Sequence, residues 1–378
     1  MRDQRLDKLA DVLVRYSTSV RPGDLVCITA DPVAMPAVEA VYEAVLRAGG
    51  NPFWRPTAHS LDELLLEHGT DAQLGFADPL RMDMVEKIDV SIGLWSETNT
   101  KASTRVDPAR SAMLRQTRKP YMKRFMERVA EGQLRWVGTL IPTQASAQDA
   151  EMSLAQYERF VFRAGLLHLD DPASAWGTLR ESQQRVCDFL QPRKELHFRA
   201  PATDDHDGTD LRVSVDGGTW INCYGDQNFP DGEVFAGPQG VDGHVNYTFP
   251  CVYDGREVEG VRLVFKNGRV TDASARKNEA YLFAMLDQDE GARNLGEIAI
   301  GTNYAIKEFT RNTLFDEKIG GTFHAAVGAG YPESGSDNES ALHWDMVCDL
   351  REGGSISADG EVFHENGRFL HAGWPGND

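Results

Sequence analysis

From residue 5 to residue 140, short apolar runs alternate with segments whose apolar residues recur at helical spacing, and this alternation restricts the fold more than any other feature of the chain. Residues 5 to 17 carry Leu6, Leu9, Ala10, Leu13 and Val14 on one helical stripe, and Arg21-Pro22-Gly23-Asp24 then turns the chain into the apolar run Leu25–Thr29. Met35–Ala48 repeats the helical period, stops on Gly49-Gly50 and leads into Asn51–Arg55. The runs Asp89–Leu94 and Leu134–Leu140, with a helix over Lys119–Glu131, continue the pattern. Strands and helices in this order imply a largely parallel sheet covered on both faces. After two more helices, Ser153–Leu167 and Trp176–Leu190, the texture changes. Glu195–Arg199 and Asp210–Val215 alternate with period 2, Asp216-Gly217-Gly218 turns into Thr219–Cys223, and Val261–Phe265 meets Arg269 through Asn267-Gly268. The reading is therefore an α/β N-terminal domain over residues 1–192 and an α+β domain rich in antiparallel strands over 193–378, divided near Gln191-Pro192-Arg193. A chain of 378 residues is long enough for two such cores.

Charge and cysteine usage limit the partners. The formal net charge is -19 with no stripe of Lys or Arg, which argues against nucleic acid and anionic membranes and suits a cationic or zwitterionic small substrate better. The N-terminal residues lack the apolar stretch of a signal peptide, and nowhere do roughly 18 apolar residues run together as a membrane span requires. Five scattered cysteines, Cys27, Cys187, Cys223, Cys251 and Cys348, read as small buried hydrophobes in a cytoplasmic chain without disulfides.

The residues with chemistry to offer lie in the second half. In Ser340-Ala-Leu-His343-Trp-Asp345, an extended backbone would put His343 and Asp345 on one face, where they could bind one ion or simply hydrogen-bond at a strand end. His324 sits in a run of small residues that leaves it and Tyr331 as the only sizeable polar side chains; a satisfied core histidine and an amphipathic packing tyrosine are the plainer readings. Glu233 follows the turn Pro230-Asp231-Gly232, and Glu297 stands inside the apolar run Leu295–Ile300. A carboxylate so placed costs several kcal/mol unless a cation or hydrogen bonds compensate, or unless it faces water at a sheet edge. Two imidazoles, three carboxylates and a phenol exceed what one catalytic metal takes and suit two divalent ions sharing a bridge.

Other chemistries find little support. Gly49-Gly50 follows a helix, so no dinucleotide-binding fingerprint is present. Gly-x-Ser-x-Gly and His-Glu-x-x-His are both absent. The remaining histidines, His59, His68, His168, His197, His206, His244, His364 and His371, are dispersed among polar segments as surface or packing residues.

Several longer motifs occur in order: Val20–Asp24, Pro142–Gln148 with Met152-Ser-Leu154, Asn228-Phe-Pro-Asp-Gly-Glu-Val-Phe235, Leu295–Asn303, Leu314–His324, Gly330-Tyr-Pro332 and Ser340–Asp345. Together they resemble the cocatalytic metallopeptidases typified by aminopeptidase T and aminopeptidase S, the thermophilic leucyl aminopeptidase family. The resemblance implies that Glu233, Glu297, His324, Tyr331, His343 and Asp345 bind two divalent ions, zinc with cobalt or manganese as substitutes. It also implies a homodimer, a smaller N-terminal α/β domain, a C-terminal domain carrying the metals, and peptide substrates with a free N-terminus. Ser336 departs from the pattern where a second glycine is expected. Such a centre, with ions roughly 3.5 to 4 Å apart, activates water against the scissile carbonyl; Glu297 or Asp345 would bridge. Glu317 is the candidate proton shuttle and Tyr331 a candidate oxyanion stabiliser, although Asp316 competes with Glu317 and both could simply pair with Lys318. Two rivals remain: a mononuclear iron ring-cleaving dioxygenase of related fold, with His324, His343 and Asp345 as its triad, and a non-catalytic binding protein.

Overall fold

The computed structural model describes residues 3–253 and 255–377. It divides into two compact units, Met1–Ala173 with Gly225–Phe229, and Ser174–Tyr224 with Pro230–Asp378. The helix Pro172–Leu190, ahead of the expected boundary at 192, falls almost wholly in the second unit. Its residues Val186, Cys187 and Leu190 are buried in that unit's core, a long-range packing choice that the turn after Leu190 conceals in the sequence.

The first unit is built on a five-stranded parallel sheet in the order Asn51–Pro56, Leu25–Ala30, Val90–Trp95, Arg135–Leu140, Asn228–Phe229. Its central strands bury most of their side chains, with no strict alternation in the last of them, as parallel strands under helices do. Helix Met35–Arg47 supplies Ala37, Val38, Ala40, Val41 and Val45 to the interior. The helix expected over residues 5 to 17 is α-helical over Gln4–Asp11 and then widens into a π-helical turn over Val12–Ser17, where the Thr18 N–H donates to the Leu13 carbonyl.

Antiparallel sheets dominate the second unit. An eight-stranded sheet runs from Arg269–Ser274 through Arg262–Lys266, Gly240–Asn246, Thr209–Ser214, Glu195–Ala200, Ser355–Ala358 and Glu361–Glu365 to Arg368–Phe369. A five-stranded sheet has the order His343–Asp349, Thr322–Gly328, Leu295–Gly301, Glu233–Ala236, Ile221–Cys223. The glycine turn at 216–218 thus does not close a hairpin; it carries the chain from the eight-stranded sheet to the edge of the five-stranded one. One apolar core serves both, with Leu196, Phe198, Leu211 and Val213 from the larger sheet and Ile298, Ile300, Phe323 and Trp344 from the smaller. The Phe198 and Phe323 rings meet across it with centroids 4.5 Å apart. All five cysteines are free. Among the described residues no helix is long and apolar enough to cross a membrane.

Candidate metal centre

The five-stranded sheet has two unlike faces, and strand alternation assigns every residue to one of them. Glu297 stands opposite Ala326, which stands opposite Asp345; His324 stands between Ala299 and Val347; Gly328 faces His343, and Gly301 faces Glu233. Residues directly paired across strands share a face, as do residues two apart along one strand. Glu233, Glu297, His324, His343 and Asp345 therefore all project from the same side. Of the residues standing among them on that side, Ala299, Gly301, Ala326 and Gly328 are small and leave room, while Val347 stands beside His324. On the opposite side Val234, Ile298, Ile300, Phe323, Ala325, Val327, Trp344 and Met346 enter the core. A rigid, buried platform thus carries the polar groups.

These groups converge. His324, fully buried, has its Nε2 at 3.1 Å from Glu297 Oε1, 3.5 Å from Glu233 Oε2 and 3.8 Å from Asp345 Oδ1. His343 Nε2 lies 3.3 Å from Asp345 Oδ1 and 3.9 Å from Glu297 Oε2. Both rings are anchored from behind: His324 Nδ1 donates to the Glu317 carbonyl at 3.1 Å and His343 Nδ1 to the Ala329 carbonyl at 2.7 Å. A carbonyl can only accept, so these contacts fix Nδ1 as the protonated nitrogen and aim Nε2 at the carboxylates, the usual support of a metal-binding histidine. Glu233, Glu297 and His324 bring one donor atom each within 4.8 Å of one another, as do Glu317, His324 and Asp345. Tyr331 stands at the rim, 40% exposed, with its ring edge-on to those of His343 and Phe235.

Burial and charge compete throughout. Desolvation opposes the charged form of both imidazoles, but the hydrogen bond that Glu297 accepts and the charges of Glu233 and Asp345 push His324 up to about 9. Asp345 and Glu297 likewise push His343 up to about 10. Burial pushes Glu233 up to about 8 against the pull of Lys318, and raises Glu317 against the same lysine. One buried oxygen, Glu233 Oε2, has no hydrogen-bond partner among the described residues. An orphaned carboxylate oxygen beside a histidine whose Nε2 points at it suits a cation.

Two local arrangements settle questions that the sequence leaves open. Asp316 does not pair with Lys318; its Oδ1 accepts from the Thr310 N–H at 2.7 Å and hydroxyl at 3.0 Å. Glu317, one residue on, does meet the Lys318 ammonium. Lys318, expected from the sequence only as an ion-pair partner of Asp316 or Glu317, and Asp231, which the sequence reading did not single out, are buried members of the cluster; the signal for both was proximity in sequence to Glu317 and Glu233. Ser336 is buried against Gly237 and Gly330, beside the loop that bears Tyr331.

The sequence profile of the thermophilic metalloprotease family (M29) matches residues 2–369. The chain belongs to that family. As a member it is a metalloprotease, a hydrolase of peptide bonds that depends on a divalent metal. It is 27% identical to aminopeptidase 2 of Geobacillus stearothermophilus over 95% of both chains, and 27% identical to aminopeptidase T of Thermus thermophilus over 96% of both. The structure of wild-type AmpT from Thermus thermophilus superposes with a TM-score of 0.85 at 25% identity, covering 97% of this chain and 99% of that one. The 2,5-dihydroxypyridine dioxygenase of Pseudomonas putida KT2440 has a TM-score of 0.55 at 14% identity over 97% and 96% of the two chains, a likeness of fold alone.

Proposed function

We propose that this metalloprotease is an aminopeptidase whose centre holds two divalent ions, zinc with cobalt or manganese as substitutes, on Glu233, Glu297, His324, Tyr331, His343 and Asp345. The observation that carries the reading is the convergence of five of these side chains on one sheet face, with both histidines presenting Nε2. Charge supports a cationic occupant. Asp231, Glu233, Glu297, Glu317 and Asp345 bring five carboxylates to the cluster against the single Lys318 ammonium, and the pull of these carboxylates on the protons of His324 and His343 marks the excess that bound cations would offset. When bound, such a pair polarises the scissile carbonyl and supplies an acidified water as nucleophile.

The chain's own residues do the rest. Glu297 has one oxygen toward each histidine, the disposition a bridging carboxylate needs. Glu317 takes the proton from the attacking water; burial raises its pKa, the direction that a base working near neutrality requires. With Asp345 it lines a shallow, mixed recess whose other walls include Pro250, Val252, Phe309 and Val347 on the apolar side and Arg311 and Thr313 on the polar side. Tyr331, at the rim with its ring edge-on to His343, would give its phenolic oxygen to an ion; without the metal, burial and the charges of Glu297 and Asp345 hold its proton on, and in that form the phenol would instead donate to a developing oxyanion. Cleavage would be restricted to the first residue if one of the ions also received the substrate's free α-amino group. Aminopeptidase T and aminopeptidase 2, by their names, share this activity. Parallel assays on one peptide with a free and with an acetylated N-terminus test the reading: release of the first residue only from the free form is expected, and equal cleavage of both would refute it.

A further inference from the structure

Lys318 is among the largest fully buried side chains of the molecule, 1% exposed, and its ammonium lies within the acidic cluster. Its Nζ donates to Glu233 Oε1 at 2.9 Å, contacts Glu317 Oε1 and stands 3.7 Å from Asp231 Oδ1. The backbone around this contact is fixed by one residue. The Asn303 N–H donates to the Lys318 carbonyl at 3.0 Å, and Asn303 Nδ2 donates to the Asp231 carbonyl at 2.8 Å. The same asparagine therefore ties the loop that carries Lys318 to the loop that leads into Glu233. From the other side Gln183 Nε2 donates to the Glu233 carbonyl at 3.1 Å and to the Cys223 carbonyl at 2.8 Å, so the strand cannot drift away.

The two oxygens of Glu233 are thereby made unequal. Oε1 is engaged by the ammonium; Oε2 is buried, without a hydrogen-bond partner among the described residues, and 3.5 Å from His324 Nε2. We propose that Lys318 is a positioning residue that grips Glu233 by one oxygen and presents the other, alone, to a metal ion beside His324. A carboxylate free to rotate in this pocket could chelate with both oxygens or swing toward Asp231; one held at Oε1 has a single way to bind. Because the same ammonium also meets Glu317, the spacing between a metal ligand and the proposed base is set by one cation of fixed reach. The inference rests on the metal-centre reading above, and partners that orient a ligand in this way typically change metal affinity by about 10- to 100-fold when removed.

Equilibrium dialysis against zinc with elemental analysis, applied to the whole chain, tests it. The forms compared are the wild type, Lys318→Met, Glu317→Gln, and the double variant Lys318→Met/Glu317→Gln, which removes the ammonium together with one of the three carboxylates it meets and so strands fewer buried charges. One bound ion is expected to weaken by about 10- to 100-fold in both lysine variants and to stay near wild type in Glu317→Gln. In a Glu233→Gln background, Lys318→Met should add no more than about twofold, since its effect passes through Glu233. Wild-type affinity in a folded lysine variant overturns the positioning role and leaves the metal centre standing. A wild-type protein that takes up no zinc removes the metal centre and the inference with it. If neither lysine variant folds in excess zinc, Lys318 is a folding residue and the proposal is overturned.

Discussion

Glu317 is held on two sides: its carboxylate meets the Lys318 ammonium, and its carbonyl receives the His324 Nδ1 proton. This places a buried acid next to the proposed metal ligands without making it one of the six. Replacing it by Gln keeps the shape and the backbone contact and removes only the proton acceptor. The expected result for Glu317→Gln is a fall in kcat of about 10²- to 10⁴-fold at unchanged metal content, measured by steady-state kinetics beside elemental analysis. Wild-type turnover would assign the proton to another group. Asp316 offers the contrast. Two hydrogen bonds from Thr310 hold its carboxylate, so adjacency in sequence does not make the two acids equivalent.

At the scale of elements, the centre depends on how the strand Glu233–Ala236 is entered. Gly232 has φ +121°, and a Cβ there would lie 2.7 Å from Asn303 Cβ, the residue that fixes both Lys318 and Asp231. Gly232→Ala is therefore expected to cost about 1 to 3 kcal/mol by urea denaturation and to weaken metal binding as well. Unchanged stability would mean that the loop relaxes freely. The parts of this assembly differ in how far the sequence discloses them. That His343 and Asp345 share a face was legible, because period 2 is a local property of an extended segment. That Glu233, Glu297 and His324 join them on that face was not, since it depends on the register of non-neighbouring strands, and a shift of one residue would turn each side chain to the core. The resemblance in motifs supplied the proposed ligand set where periodicity could not. Lys318 was legible as a pairing partner of Glu317, but not its contact with Glu233 or its burial, which depend on packing between segments distant in sequence.

For the whole molecule, the division of labour follows from sheet type. The parallel sheet of the first unit is buried under helices, while the antiparallel five-stranded sheet of the second can spend one face on the core and the other on chemistry. The switch from helical to alternating periodicity foretold this change of architecture. It did not foretell that the helix Pro172–Leu190 packs with the strands after it, or that Asn228–Phe229 returns to the first unit's sheet. A net charge of -19 acts at the same scale, favouring approach of the ammonium end of a peptide. The central claim is that this fold assembles a two-ion peptidase centre. Stripping the purified protein with a chelator and returning zinc stepwise, with ions counted per chain as an aminoacyl amide is hydrolysed, tests it most directly. Activity should vanish with the metal and return in full at two ions per chain; full activity in protein shown to be metal-free, or saturation at a single ion per chain, would contradict it.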